Sequence, residues 1–326
     1  LAPTGGTRDM FIASYTSTGA HRWSQRHGGP GALLAAADLA VNDAGDVVVV
    51  GRLDGSVDVG GGLLTDAGAT DIFAMGLDSS GAYQWSRAMG GTGGDRALGV
   101  AVDGGGGAVV VGSFSGTVDL GTGSLVSQGS SDGFTLRLSA TGVSQWANRF
   151  GGTSIDGGND VVLDGSGNCY LVGGFSGAVD LGDGPLTTSG GFDVFVASYD
   201  ASGTLRWSQG GGSSGLDYGR GITLDTAGNP VAAGGFSSAS ADFGSGTLTG
   251  AGAYDTWIAS YASATGAPMD SANIGTSAVE RGYDVAATPG GTFVVVGTFT
   301  DTLPVAGTTL VSAGGFTDLF VTSLAL

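Results

Sequence analysis

Lysine is absent from this 326-residue chain, glutamate occurs once, cysteine once, histidine twice and proline seven times. Each scarcity removes a class of function. Without lysine there is no G-x-x-x-x-G-K-[ST] loop to cradle a phosphate. The 11 cationic side chains are all arginine and face 29 carboxylates, for a formal charge of −18. A chain so acidic lacks the basic footprint that DNA, RNA or an anionic membrane surface requires. The lone Cys169, in the apolar run CYLVGGF, has no partner for an internal disulfide and reads as a buried, inert thiol. His21 and His27 are not spaced as zinc ligands. No apolar run approaches the length of a membrane-spanning helix. Residue 1 is leucine, so an export signal would precede the residues that can be read.

What the chain has in excess is glycine, 67 residues of it, without a Gly-X-Y period. The glycines alternate with short apolar runs, as expected for many brief strands joined by tight turns. One stretch organises the whole. DVFVASYDASGTLRW begins at Asp193, and versions of it begin at Asp9, Asp71, Asp132 and Asp255, with a partial copy from Asp318 to the C-terminus. A period of about sixty residues sustained over residues 1–326 makes repeat architecture the first inference, with one continuous domain.

Each repeat divides into four strand candidates. An apolar run ending in a turn (residues 38–45, 98–105, 159–166, 220–227, 283–290) is followed by a second (47–53, 109–114, 170–175, 231–236, 294–299). A polar stretch of the GTVDLGTG type leads to the D-x-F strand and then to a fourth strand carrying tryptophan. The first two strands are apolar on both faces, as Val47–Val50 shows, so each sheet must be covered on both sides. A ring of radially stacked sheets meets that need, whereas the coils of a β-helix are much shorter than this period. The expected fold is therefore all-β: a five-bladed β-propeller of four-stranded antiparallel blades, its last blade shared by C-terminal strands and the N-terminal strand around Trp23. Asp9–Tyr15 and Asp318–Leu324 compete for one place in that blade.

The pattern D-x-F-[VI]-A-x-Y-D-x-S-G-x-x-x-W, followed by G-G, an acidic residue and G-x-F-S-G-x-V-D-L-G, resembles the bacterial SBBP-type β-propeller repeat. The resemblance runs from Asp9 to Leu326 and is most specific in the second to fourth periods. In the fifth, Met269 replaces tryptophan and DTLPVAG replaces GTVDLG. It implies a propeller and a secreted or cell-surface setting, and it implies no chemical activity.

Several recurring side chains invite functional readings, each with a structural rival. The initial aspartates (Asp9, Asp71, Asp132, Asp193, Asp255, Asp318) read as turn-fixing acceptors. Trp23, Trp85, Trp146 and Trp207 either pack between blades or present stacking platforms for sugar rings. Asp95, Asp156, Asp217 and Glu280, each just before an innermost strand, either ring one mouth of a central channel or cap their own loops and pair with Arg96, Arg220 or Arg281. A ring of this kind would take calcium or a polyhydroxyl ligand. Asp58, Asp119, Asp180 and Asp242 offer one carboxylate per loop, thin for calcium. No cofactor is otherwise implied. The function expected is a non-enzymatic binding or scaffold propeller, multivalent toward a glycan or protein surface. A calcium- or small-ligand-binding propeller is the second expectation. A glycoside hydrolase is the third, and it lacks a distinct acid–base pair beyond the repeated Glu280 position.

Overall fold

A computed structural model describes residues 8–305, 307–313 and 317–326. Every element of regular structure in it is a β-strand, so no helix is long and apolar enough to cross a membrane. The strands fall in two compact units, Leu1–Arg149 and Phe150–Leu326.

The four-strand repeat is realised as antiparallel sheets in chain order. In the first unit, Leu33–Val41, Val47–Asp54, Asp71–Leu77 and Tyr83–Gly91 form one sheet. Arg96–Val102, Ala108–Phe114, Asp132–Leu138 and Ser144–Phe150 form the next. In the second unit the corresponding sheets are Asp156–Leu163 through Leu205–Ser213 and Asp217–Leu224 through Pro230–Phe236, Asp255–Tyr261 and Pro268–Ile274. Register is the same throughout: the initial aspartate of the third strand lies opposite the last apolar residue of the second, as Phe114 opposite Asp132 and Phe175 opposite Asp193. With side chains alternating between faces, that register sends Phe73 or Phe195 to one face and Ile72 or Val194 to the other.

Sheets within a unit stack face to face, and the cores are the joints. Met10 and Ile12 of the first hairpin meet Phe73, Met75 and Leu77. The opposite face of that sheet, with Ile72 and Ala74, meets Phe134, Leu136 and Leu138 of the next. In the second unit Val194 and Val196 meet Trp257, Ala259 and Tyr261. Ile258 in turn meets Phe320 with Val285 and Val295. Every joint therefore brings the Ile/Val face of one sheet onto the Phe/Trp face of the sheet that follows it.

The polar stretch between second and third strands is not a plain loop. Thr117–Asp119 and Ser124–Val126 form a small hairpin that pairs with the outer strand of the preceding sheet, Val118 opposite Gly91. Ser240–Asp242 does the same beside Leu205–Ser213. Its alternate apolar residues, Val118 and Leu120 in one case and Ala241 and Phe243 in the other, are buried.

A smaller device recurs at the bulge of the first strand, where Asp38, Asp160 and Asp284 alternate with Gly99 and Gly221. Asp38 accepts the N–H of its own neighbour Leu39 and, 2.9 Å away, that of Val100 in the following sheet. Asp160 repeats this toward Val161 and Ile222. A Cβ on Gly221 would lie 2.7 Å from the Asp284 Cα, so glycine lets the next strand approach where aspartate would collide.

The expected shared blade differs from what forms. Glu280–Ala287 and Phe293–Phe299 take Asp318–Leu324 as third strand, Asp318 opposite Phe299 in the usual register. The strand carrying Trp23, His21–His27, pairs with Met10–Tyr15 in a separate two-stranded sheet. The array of described strands is thus four complete four-strand sets, a three-stranded last sheet and a two-stranded first hairpin. Competition for the slot goes to Asp318–Leu324, and the N-terminal copy is held by the short turn joining it to its own fourth strand.

Candidate functional site

The four carboxylates expected to ring a channel mouth are buried. Asp95 accepts the N–H of Gly91 at 2.8 Å and that of Ser115 at 3.3 Å. Asp156 accepts that of Gly152 at 2.8 Å. Asp217 accepts from the Ser213 N–H and hydroxyl at 2.6 and 2.9 Å, and Glu280 does the same with Thr276 at 2.8 and 2.7 Å. Each thus ties down the loop four residues before it, and these bonds involve none of the three arginines. Burial pushes the carboxyls of Asp95 and Asp217 up to about 6, against the pull of their backbone donors, and raises Glu280 in the same direction.

The initial aspartates play a matching part, with Ala67, Gln128, Ser189 and Ala251 donating to Asp71, Asp132, Asp193 and Asp255. Asp132 also pairs with Arg149. The loop aspartates Asp58, Asp119, Asp180 and Asp242 close tight turns onto Gly60, Gly121, Gly182 and Gly244 at 2.7–2.9 Å. Among the described residues no three His, Cys, Asp or Glu side chains gather closely enough to hold a metal ion.

Trp23, Trp85 and Trp207 are committed to the joints. The Trp207 indole donates to the Ser263 carbonyl at 3.0 Å and lies against Gly266, whose φ of +70° and missing Cβ admit the ring. Trp85 covers Gly142 in the same way, and Trp23 donates to the Ser79 carbonyl at 3.2 Å over Gly81. Trp85 and Trp207 are buried and offer no open ring to a sugar; Trp23 and Trp146 are half-buried. G-x-S-x-G occurs at Gly129–Gly133, running into the strand Asp132–Leu138, and at Gly211–Gly215, as glycine-rich composition produces it. The second precedes a strand instead of a helix, and its Ser213 hydroxyl is spent on Asp217.

Beside these buried anchors lies a surface of which the sequence suggests only Arg220 and Arg281, and those as partners of the carboxylates. Tyr218 and Arg220 follow Asp217 at alternate positions, and Arg281 and Tyr283 follow Glu280 in the reverse order. Phe192 and Tyr254 stand immediately before Asp193 and Asp255, held there by isolated bridges to Leu216 and Val279. The result is a ladder on the second unit. Phe192 and Tyr218 have ring centres 5.5 Å apart, and Tyr218 and Tyr254 stack at 6.4 Å with 24° between planes. The Arg220 guanidinium sits 5.3 Å from both the Tyr218 and the Tyr283 rings, and Arg281 lies 4.4 Å from Tyr254. Swapping the order of Tyr and Arg in adjacent repeats is what places one cation between two aromatic faces. Burial and the neighbouring Tyr254 raise the Tyr218 hydroxyl, keeping it protonated. Among the described residues no side chain or carbonyl accepts a hydrogen bond from Arg220, which is exposed, so its N–H groups are not spent within the fold.

The signal was present in the sequence. At the place after the buried carboxylate the repeats read Arg96, Gly157, Tyr218 and Arg281, and two further on Leu98, Asn159, Arg220 and Tyr283. Groups that every sheet needs recur, whereas these vary.

No protein-family model matches the chain, and no curated protein matches its sequence. Among solved structures it is similar to the WD40 domain of Pan2 from Neurospora crassa, at 12% identity and a TM-score of 0.32 over 80% of this chain and 85% of that one.

Proposed function

We propose that this protein is a non-enzymatic binding scaffold of the β-propeller class, exported or displayed at the cell surface, whose recognition face is the arginine–tyrosine ladder and whose ligand is a glycan. In this reading the four complete sheets, the last sheet and the first hairpin act as blades. One observation carries the assignment: the exposed Arg220 holds its guanidinium 5.3 Å from the rings of both Tyr218 and Tyr283. A guanidinium fixed in this way loses little freedom on binding and presents paired N–H groups to vicinal hydroxyls or a uronate carboxylate. Tyrosine rings beside it supply the apolar face that a sugar ring stacks on. Nothing in the repeated, loop-bound carboxylates supplies a second role, and this is why binding is favoured over hydrolysis.

A glycan array probed with the parent and with Arg220→Ala and Tyr283→Ala tests the proposal. Binding to at least one glycan class that falls about tenfold or more in both variants is the expected result, in line with the loss of one well-placed charged hydrogen-bonding group. An array without binding, or variants that bind as the parent does, would sink it.

A further inference from the structure

Two neighbouring sheets of the first unit treat the same carboxylate position differently. Three residues after each tryptophan, or after Met269, the repeats read Arg26, Ala88, Arg149, Gly210 and Ala272. Arg149 pairs with Asp132, the initial aspartate of its own sheet, donating to the oxygen that also takes the Gln128 N–H. Ala88 has no such reach. Asp71, the counterpart of Asp132, is likewise buried. It accepts the Ala67 N–H at 2.8 Å, and its Oδ1 takes no hydrogen bond among the described residues.

The space that Arg149 fills in one sheet is open in the other. A cavity of about 450 Å³ is lined by Thr65, Ala67, Asp71 and Ala88, together with Arg87 and Asp119. Thr65 and Ala67 stand where the next sheet has Val126 and Gln128, and they are no larger, so there is room for an arginine. Arg87 does not supply the cation. Successive residues of a strand point to opposite faces, and its Nε–H donates to the Gly142 carbonyl at 3.0 Å. Asp119 is exposed and spends one oxygen on the Gly121 N–H. Burial raises the Asp71 carboxyl, against the pull of the Ala67 N–H, and Asp66 adds to the rise. A buried carboxylate with no counter-ion is costly, and a cation placed beside it recovers that cost.

We propose that this cavity is a binding site for a guanidinium group, the arginine side chain of a peptide ligand, which pairs with Asp71 as Arg149 pairs with Asp132. A planar fork of N–H donors suits a carboxylate that still has an oxygen to offer, and an ammonium, a point charge, suits it less. The site lies within the first unit, apart from the arginine–tyrosine ladder of the second, and it does not depend on the glycan reading.

The probe is N-acetyl-arginine amide, a single cation, titrated over about 0.1–20 mM and followed by the backbone amide signals in NMR. A buffer of about pH 8 keeps the carboxyl ionised, and about 0.15 M NaCl screens the general attraction of an acidic surface. In the parent the amides of Ala67, Asp71 and Ala88 shift saturably, and N-acetyl-lysine amide binds about tenfold or more weakly. Ala88→Arg supplies the arginine from the chain itself: those shifts disappear and the variant melts higher than the parent. Arg149→Ala opens the corresponding place in the next sheet, so the amides of Gln128 and Asp132 join the responding set. Should Arg149→Ala fail to fold, which circular dichroism reads, Ala88→Arg decides alone. No saturable shift in the parent, equal affinity for the lysine analogue, or an Ala88→Arg variant that responds as the parent does would each overturn the proposal. So would a folded Arg149→Ala without the added response.

Discussion

Trp207 shows how a residue that looks like a ligand platform becomes part of the frame. Its ring fills the space above a left-handed glycine of the next repeat, and its N–H is used by a carbonyl there. Trp207→Ala should cost about 3–5 kcal/mol in urea denaturation, the range for deleting a buried aromatic. It should leave any glycan bound to the ladder in place once folding is accounted for. The buried carboxylates give a second residue-scale prediction. Asp95 and Asp217 titrate near 6 when folded and near 3.8 in an exposed chain. Folding therefore favours their protonated forms, so the stability they contribute is full below about pH 4 and is lost as pH rises toward 6. The melting temperature should fall over that interval, and Asp95→Asn with Asp217→Asn should flatten the fall relative to the parent. An unchanged slope would show that the acidic surface as a whole, not these two groups, sets it. At this scale the sequence reading came within one residue of the ladder. Recurrence drew it to Asp217 and Glu280, with Arg220 and Arg281 only as their partners, while Tyr218 and Tyr283 were hidden by their variation between repeats.

At the scale of elements, period and strand order were legible because alternation and glycine-rich turns act locally. The small hairpins were not. Thr117–Asp119 is three residues long, and Val118 within it and Leu120 just after it are too few apolar side chains to stand out as a periodic run within a D-x-G turn motif. Their burial depends on the outer strand of the preceding sheet, a partner some thirty residues away in sequence. Leu120→Ala should lower the unfolding free energy by roughly 2–5 kcal/mol, as for other fully buried leucines. Hydrogen exchange should show faster exchange around Gly90 and Gly91, the residues this hairpin pairs with. Exchange confined to the hairpin itself would mean that it hangs on the sheet without supporting it.

For the molecule as a whole, pairing at the ends could not be read from sequence. Met10–Tyr15 and Asp318–Leu324 carry the same motif, and local pattern cannot rank two copies of one strand. Proximity along the chain ranks them, since a short turn binds the first copy to His21–His27.

The alternation of Asp38, Gly99, Asp160, Gly221 and Asp284 gives the array parity. Where an aspartate strand precedes a glycine strand, a carboxylate crosses to the neighbouring backbone, as Asp38 does to Val100. Where the order is reversed, as at Gly221 and Asp284, bare backbone allows close approach. The true building block is then a pair of repeats. Excising or inserting one repeat would set carboxylate against carboxylate, or bare backbone against bare backbone, whereas changes by two would leave each junction chemically as it was. Natural or engineered variants in length should accordingly be tolerated in even steps.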